Sequence, residues 1–142
     1  MAVSTEETRR RAGDVYIPDP RTEIEPSPRW VRVRFGGQFV ADSRNVLLLR
    51  ETGHVPIYYF PQADVHMDLL VPSDRTTSCP RKGDAVYWHV RVGDRTAEDA
   101  AWSYPRAPAD GPALAGHVAF DWPKMDAWFE EDGRPVQPGP PD

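Results

Sequence analysis

The sequence predicts a mainly β fold for this chain of 142 residues. Short segments in which apolar and polar residues alternate follow one another along the chain, and this period of two is typical of half-buried strands. Glycine, proline and aspartate residues that favour turns separate the segments at close spacing. We therefore expect two antiparallel sheets in a sandwich-like arrangement, with a short C-terminal helix and loose termini.

The first strong element is a β-hairpin. The segment Val31–Phe35 alternates valine and phenylalanine with arginine, and Gly36-Gly37 follows it directly. Two glycines suit a two-residue hairpin turn that needs positive φ. Pairing across this turn would place Val33 opposite Val40, so that one face of the hairpin is apolar and the other is charged.

The later strands follow from runs that are rich in valine, isoleucine and aromatic residues. They are predicted at Val46–Leu49, Ile57–Phe60, Val65–Val71, Asp84–Val92, Arg95–Tyr104 and His117–Trp122. The first of these is continuously apolar, which is typical of a central strand covered on both faces.

A short helix is predicted to close the fold. Pro123 suits the first position of a helix, and Met125, Trp128 and Phe129 would share one face of it.

Both ends of the chain differ in composition from the middle. Residues 1–28 are polar and interrupted by prolines, and residues 133–142 form a proline- and glycine-rich tail without apolar periodicity. We expect a loose leader at 1–28, a single domain at 29–132 and a disordered tail at 133–142.

Charge and cysteine content indicate which partners and which cell compartment are expected for this protein. The net charge is −5 and acidic and basic residues are interleaved, which disfavours nucleic acid as a partner. One cysteine leaves no intrachain disulfide. The N-terminal residues lack the apolar core of a signal peptide, and no apolar run approaches the ~20 residues of a membrane helix. We expect a cytoplasmic protein without membrane contact, either a monomer or a homodimer paired through an exposed sheet edge.

Three residues carry candidate catalytic chemistry: Glu51, Cys79 and Lys82. Arg81 and Lys82 follow Cys79 closely, and nearby cations favour the nucleophilic thiolate. A buried structural cysteine is the commoner alternative. Glu51 ends an apolar strand, where partial burial would suit it to acid–base work, although a solvated strand end or a partner for Arg50 or Lys82 is also consistent with this position.

Aromatic residues are concentrated in the middle of the chain and are candidates for lining a ligand pocket. They are Tyr58, Tyr59, Phe60, Tyr87, Trp88, Trp102 and Tyr104. Because successive strand residues point to opposite faces, Tyr58 and Phe60 would face together while Tyr59 faces away. One group would fill the core, which is the usual role of such residues, and the other could line a cleft with flat walls and hydroxyl donors.

Other motifs give weaker signals. Asp64, His66 and Asp68 share one face of a predicted strand, where a solvated polar face is the simpler interpretation than a metal site. Lys82-Gly83 lacks the glycine-rich lead of a phosphate-binding loop. The sequence also contains no nucleophile elbow of the GxSxG type. We predict no metal and no cofactor.

Six motifs together resemble a bacterial family of domains of unknown function, DUF427, which is also labelled nucleotidyltransferase-like. They are VRVRFGGQFVADS, VLLLRE, PIYYFPQADVHMDLL, TTSCPRKGDAVYW, AWSYP and GHVAFDW. The resemblance implies a β-tent-like fold, in which two antiparallel sheets meet at an angle. It also implies a pocket between the sheets, as in methionine sulfoxide reductases of the B type and the thalidomide-binding domain of cereblon. Those relatives commonly hold zinc with paired CxxC motifs, whereas this chain has Cys79 alone, so its core rather than a metal must hold the fold.

Three functional hypotheses remain open. The resemblance, through ester hydrolysis reported within the family, is consistent with a hydrolase but does not imply one activity. If the protein is an enzyme, we expect hydrolysis of a small ester or amide, with Glu51 as acid or base, Cys79 as nucleophile, and Lys82 with Tyr58 or Tyr59 stabilising the oxyanion. A non-catalytic module that binds a small molecule in the same aromatic pocket is the alternative. Nucleotidyl transfer would need a carboxylate pair for Mg²⁺ beside a basic phosphate site, and neither is evident in the sequence.

Overall fold

The computed structural model describes residues 22–51, 53, 55–80, 82–106, 113–130 and 134–136. The described residues form strands β1 (Thr22–Pro26), β2 (Val31–Phe35), β3 (Gln38–Ser43), β4 (Leu47–Glu51), β5 (Ile57–Pro61), β6 (Leu70–Cys79), β7 (Gly83–Val92), β8 (Arg95–Arg106), β9 (His117–Phe120), β10 (Ala127–Glu130) and β11 (Arg134–Val136). Single turns of 3₁₀-helix lie at Gln62–Asp64, Met67–Leu69 and Trp122–Lys124.

These strands make two antiparallel sheets. The larger has seven strands in the order β1-β4-β5-β9-β8-β7-β6, and the smaller has four in the order β11-β10-β2-β3. The predicted fold class, mainly β with two antiparallel sheets in a sandwich-like arrangement, is confirmed. Within the described part of the chain, no helix has the length and apolar character to cross a membrane.

The predicted hairpin forms, but its register was wrong by one residue. Strands β2 and β3 meet at Gly36 and Gly37, whose φ angles are +61° and +84°, yet Val33 pairs with Ala41 and not with Val40. The register shifts after Val33, which leaves Val40 as the extra residue of a β-bulge. The bulge allows both Val40 and Ala41 to be buried, which strict alternation would not.

The C-terminal helix prediction was wrong. One 3₁₀ turn at Trp122–Lys124 is followed by β10, which pairs with β2. This arrangement places the Trp128 side chain in the core, 1% exposed. Its ring stacks on Trp122 at a centroid distance of 3.9 Å. In the extended conformation this segment pairs with β2 and buries Trp128. These contacts stabilise a strand more than the helical spacing of the apolar residues would stabilise a helix.

Two other boundaries also differ from expectation. The segment predicted as one strand from Val65 to Val71 contains a 3₁₀ turn, and regular pairing begins only at Leu70. At the N-terminus, β1 lies within the residues predicted to be a leader and pairs with β4. The expectations for residues 1–21 and 137–142 fall outside the described residues.

Apolar side chains pack on both faces of the seven-stranded sheet. The inter-sheet core joins it to the four-stranded sheet and includes Val31, Val33, Phe35, Tyr58, Phe60, Val90, Phe120 and Trp128. A second cluster lies on the opposite face and consists of Leu49, Tyr59, Ala85, Tyr104, Leu114 and Ala119. Strand β5 contributes to both, because Tyr58 and Phe60 point into the inter-sheet core and Tyr59 into the second cluster.

Candidate functional site

A cleft of about 470 Å³ opens beside the second cluster. We name it the tyrosine cleft, and its lining consists of Glu51, Val55, Ile57, Tyr59, Arg75, Cys79, Lys82, Tyr87, Asp99, Trp102, Tyr104, Asp121 and Lys124. Its volume lies within the roughly 300–1,000 Å³ that is usual for small-molecule sites.

The fold brings most of the predicted site residues to this cleft. Glu51 comes from the end of β4, Cys79 from the end of β6, and Lys82 from the loop that leads into β7. Four of the predicted aromatic residues join them: Tyr59, Tyr87, Trp102 and Tyr104.

The other three predicted aromatic residues lie on the opposite face of the sheet. Phe60 is fully buried in the inter-sheet core, and Trp88 packs against the same core. The Tyr58 hydroxyl donates a hydrogen bond to Glu130 Oε2 at 2.8 Å, so it is directed away from the cleft. Of the two tyrosines considered for oxyanion stabilisation, Tyr59 is the one at the cleft.

The Glu51–Lys82 ion pair connects distant strands of the seven-stranded sheet. Lys82 Nζ lies 2.8 Å from Glu51 Oε1, and the two side chains are 11% and 14% exposed. In a flat sheet, β4 and the β6–β7 loop would be about 20 Å apart, at ~4.8 Å per strand. The contact therefore requires the sheet to curl, and the curl forms the concave wall of the cleft.

Lys82 is held in its charged form. Burial acts to lower its pKa, but the hydrogen bond to Glu51 and the nearby Tyr104, Glu51 and Cys79 outweigh burial and raise the pKa above the ordinary lysine value. The ammonium also lies over the Tyr104 ring, 5.4 Å from its centroid. At neutral pH Lys82 is thus a cation and a hydrogen-bond donor, not a base.

Two tyrosines of the cleft, Tyr59 and Tyr104, hold their hydroxyl protons more firmly than a free tyrosine. Burial raises the pKa of Tyr59 well above its ordinary value, and a hydrogen bond from Trp102 only partly offsets this. Burial likewise raises the pKa of Tyr104, against the opposing charge of Lys82. Trp102 Nε1 donates to the Tyr59 hydroxyl at 3.2 Å, which fixes the indole ring at the edge of the cleft.

A side wall is built from β6 and β7. Thr77 Oγ1 and the Tyr87 hydroxyl lie 3.1 Å apart in a hydrogen bond. The Arg75 guanidinium lies over the Tyr87 ring at 4.9 Å. This wall offers a flat aromatic surface with one cation at its outer edge.

Sequence reasoning missed four charged residues of the lining: Arg75, Asp99, Asp121 and Lys124. Asp99 has a φ of +51°, which is rare for a residue other than glycine. It lies where the register between β7 and β8 shifts, between the pairs Trp88–Ala101 and Val90–Ala97. Alternation cannot predict the direction of a side chain within such an irregularity, so the sequence carried no signal for Asp99.

A hydrogen-bond network supports this irregular segment. The Asp99 backbone N–H donates to His89 Nδ1 at 3.0 Å, and Ser73 Oγ donates to the Asp99 carboxylate. The imidazole nitrogen is therefore an acceptor, and the network holds the Asp99 backbone in its unusual conformation.

The described ranges contain no candidate metal site. None of them brings together three or more His, Cys, Asp or Glu side chains in a way that could hold a metal ion. Asp64, one of the residues considered at the sequence level, instead accepts a hydrogen bond from Ser43 Oγ at 2.6 Å.

Comparison with known proteins identifies the family. A family model described as "Domain of unknown function (DUF427)" matches residues 23–131, the range that contains every lining residue of the tyrosine cleft. None of the curated proteins compared with the chain matches its sequence. The resemblance noted from the motifs is confirmed, and with a match over most of its length the chain belongs to the DUF427 family.

Proposed function

We propose that the protein binds a small, uncharged carbonyl compound, such as an ester or amide, in the tyrosine cleft. The observation that carries this proposal is the convergence of Glu51, Cys79 and Lys82 with four aromatic side chains on one cavity of about 470 Å³. A concave cavity of this size, in which polar groups converge beside aromatic side chains, is a usual form of a small-molecule site.

The charges of the cleft favour an uncharged ligand. Its lining contains three basic residues, Arg75, Lys82 and Lys124, and three acidic residues, Glu51, Asp99 and Asp121. A multiply charged anion would meet as many carboxylates as cations. Nucleotidyl transfer, which must stabilise a triphosphate, therefore receives no support from this lining.

Hydrogen-bond donors are available for a carbonyl oxygen. Lys82 is charged, and the hydroxyls of Tyr59 and Tyr104 keep their protons because burial raises their pKa values. Donors fixed in a partly desolvated site interact with a carbonyl more strongly than the same groups do in water.

Hydrolysis of a bound ester is the second candidate, favoured by the presence of Cys79 in the same lining as Lys82 and Glu51. Cys79 would attack the carbonyl carbon and pass its thiol proton to the Glu51 carboxylate. The alcohol would then leave with a proton, and water would cleave the resulting thioester to release the acid and restore the thiol. Lys82 would stabilise the oxyanion in both steps.

Binding is tested by NMR on the full chain with methyl acetate as the probe. The indole N–H of Trp102 lies at the cleft, whereas that of Trp30 donates to Asp42 on the four-stranded sheet and is an internal control. We expect the Trp102 signal to shift with increasing methyl acetate while the Trp30 signal stays unchanged. If neither signal responds at millimolar probe, the cleft does not bind such compounds and the proposal fails.

Catalysis is tested separately by 4-nitrophenolate release from short 4-nitrophenyl esters. We expect Cys79→Ala and Glu51→Gln to abolish turnover, with Glu23→Gln, an exposed residue of β1, as the matched control that retains it. Equal trace rates in all variants, together with probe binding, would leave a non-catalytic binding module.

A further inference from the structure

A second cavity adjoins the tyrosine cleft. It measures about 290 Å³, and its lining includes Tyr58, Trp102, Phe120, Trp122 and Trp128. We name it the tryptophan pocket. Among the described residues that line this pocket, Asp121 alone carries a charge. The pocket is therefore much less charged than the tyrosine cleft.

The two cavities share part of their lining. Trp102, Val55, Ile57 and Asp121 line both of them. The Trp102 indole N–H is held by the Tyr59 hydroxyl on the cleft side, which fixes the ring at the junction. The shared lining places the two cavities next to each other at this ring.

Contacts among the rings hold the tryptophan pocket in shape. Trp122 and Trp128 stack with their planes 5° apart, and Trp128 Nε1 donates to the Trp122 carbonyl at 3.2 Å. Tyr58 stacks on Trp122 at 6.3 Å between centroids. Because these contacts fix the ring orientations before any ligand arrives, little ordering cost remains for binding.

From this geometry we propose that the tryptophan pocket takes a planar apolar group, and that the ligand is an aryl ester or amide whose carbonyl lies in the tyrosine cleft. This inference rests on the proposed function of the cleft. A cavity of about 150 Å³ is enough for benzene, so 290 Å³ holds one substituted ring but is small for a whole ligand.

Charge supports the same class of ligand. Asp121, at the junction, lies 3.7 Å from Lys124 and is already paired, so an added cation has no unmatched carboxylate there. An anionic group would lose its water against the rings and find no cation in the described lining of the pocket. An uncharged ring meets neither cost, and it stacks favourably on aromatic walls.

The experiment compares methyl acetate, methyl benzoate and methyl cyclohexanecarboxylate, which share one ester group. Dissociation constants are measured on the full chain by NMR titration. We expect methyl benzoate to bind about tenfold more tightly than methyl acetate because its ring leaves water, with the non-planar cyclohexyl ester between them.

Two variants test whether the phenyl ring of methyl benzoate lies in the tryptophan pocket. Trp122→Leu is expected to remove most of the benzoate advantage and to leave methyl acetate binding unchanged. Trp30→Leu, at the residue before β2 and absent from both linings, is the control that keeps the advantage. Intermolecular NOEs between the phenyl protons and Trp122 in the unaltered protein give the same information without any risk of misfolding.

The outcomes separate this inference from the proposal on which it rests. Methyl acetate and methyl benzoate binding equally, or benzoate binding tightly without NOEs to Trp122, would overturn the tryptophan pocket while the cleft still stands. Failure of all three esters to bind would overturn the cleft, and the inference with it.

Discussion

The Glu51–Lys82 ion pair offers the sharpest test of how the curled sheet is held together. It joins the end of β4 to the β6–β7 loop across 31 positions of sequence. We expect Glu51→Gln and Lys82→Met each to lower the free energy of unfolding by about 2 kcal/mol, and the double variant to lose clearly less than the sum of the two.

The magnitude follows from distance and burial. At 2.8 Å the Coulomb attraction is about 6 kcal/mol for an effective dielectric constant of 20, and desolvation of the two ions offsets much of it. Exposed pairs contribute at most about 1 kcal/mol, while breaking a fully buried pair costs about 3–5 kcal/mol. Side chains that are 11% and 14% exposed at the edge of an open cleft fall between these limits.

The contribution of this ion pair to the free energy of unfolding changes with pH in a definite direction. Because the folded-state pKa of Lys82 is raised, the pair stabilises the protein fully below the unfolded lysine value of about 10.4. This contribution is lost as the pH rises through the folded pKa. The difference in stability between the unaltered protein and Lys82→Met should therefore be constant from neutral pH to about pH 10 and shrink above it.

The assay is urea unfolding of the four proteins of the double-mutant cycle, followed by tryptophan fluorescence. We expect a coupling energy of about 1.5–2 kcal/mol, and a fall in Tm of about 8 °C for each single variant. Single effects that simply add, with a coupling below about 0.5 kcal/mol, would refute the view that this pair holds the curl.

Two further predictions concern the β2–β3 turn. Gly36→Ala should lower the free energy of unfolding by about 3 kcal/mol, because φ is +61° and the new Cβ would lie 2.8 Å from Val92 Cβ. Gly37→Ala, at φ +84° with no described atom within 4 Å, should cost only about 1 kcal/mol; equal losses measured in urea would contradict the crowding argument. Asp126→Asn should destabilise the protein at pH 7, because Asp126 accepts hydrogen bonds from Arg95 and from the Gly36 N–H, which lower its pKa. That stabilisation is present above the ordinary carboxyl pKa of about 3.9 and is lost as the pH falls through the lowered value, so a stability difference independent of pH in acid would count against it.

The parts of the fold that sequence reasoning predicted are those where local alternation decides the outcome. The arginine–valine alternation of β2 and the glycine pair after it gave the hairpin. The split of Tyr58 and Phe60 from Tyr59 was also confirmed, because strand residues alternate regardless of tertiary context.

The errors arose where tertiary contacts override local pattern. Met125, Trp128 and Phe129 have helical spacing, but Trp128 gains more as part of a strand against β2 and the Trp122 ring. The bulge at Val40 shifted the register because burial of Ala41 as well as Val40 is favoured. No local signal reports either effect.

The candidate site residues were chosen from the sequence, but the sequence did not show where in the fold they would lie. Cys79 and Lys82 were singled out by residue type and local context, and Glu51 by its position at a strand end together with the family resemblance. Their convergence on one cleft depends on the curl of a seven-stranded sheet. The orientation of Asp99 depends on an irregularity between β7 and β8. Both are long-range properties, which a single sequence does not encode in its periodicity.

The packing of both faces of the seven-stranded sheet bears on how an unknown ligand could be found. Neighbouring residues of β5 belong alternately to the inter-sheet core and to the second cluster beside the cleft, so the two are expected to melt in one cooperative transition. Any compound that occupies the cleft then stabilises the whole domain, by about 2.7 kcal/mol at a concentration one hundred times its Kd. Thermal denaturation thus becomes a general screen, in which the Tm of the entire domain reports occupancy before the chemistry of the ligand is known.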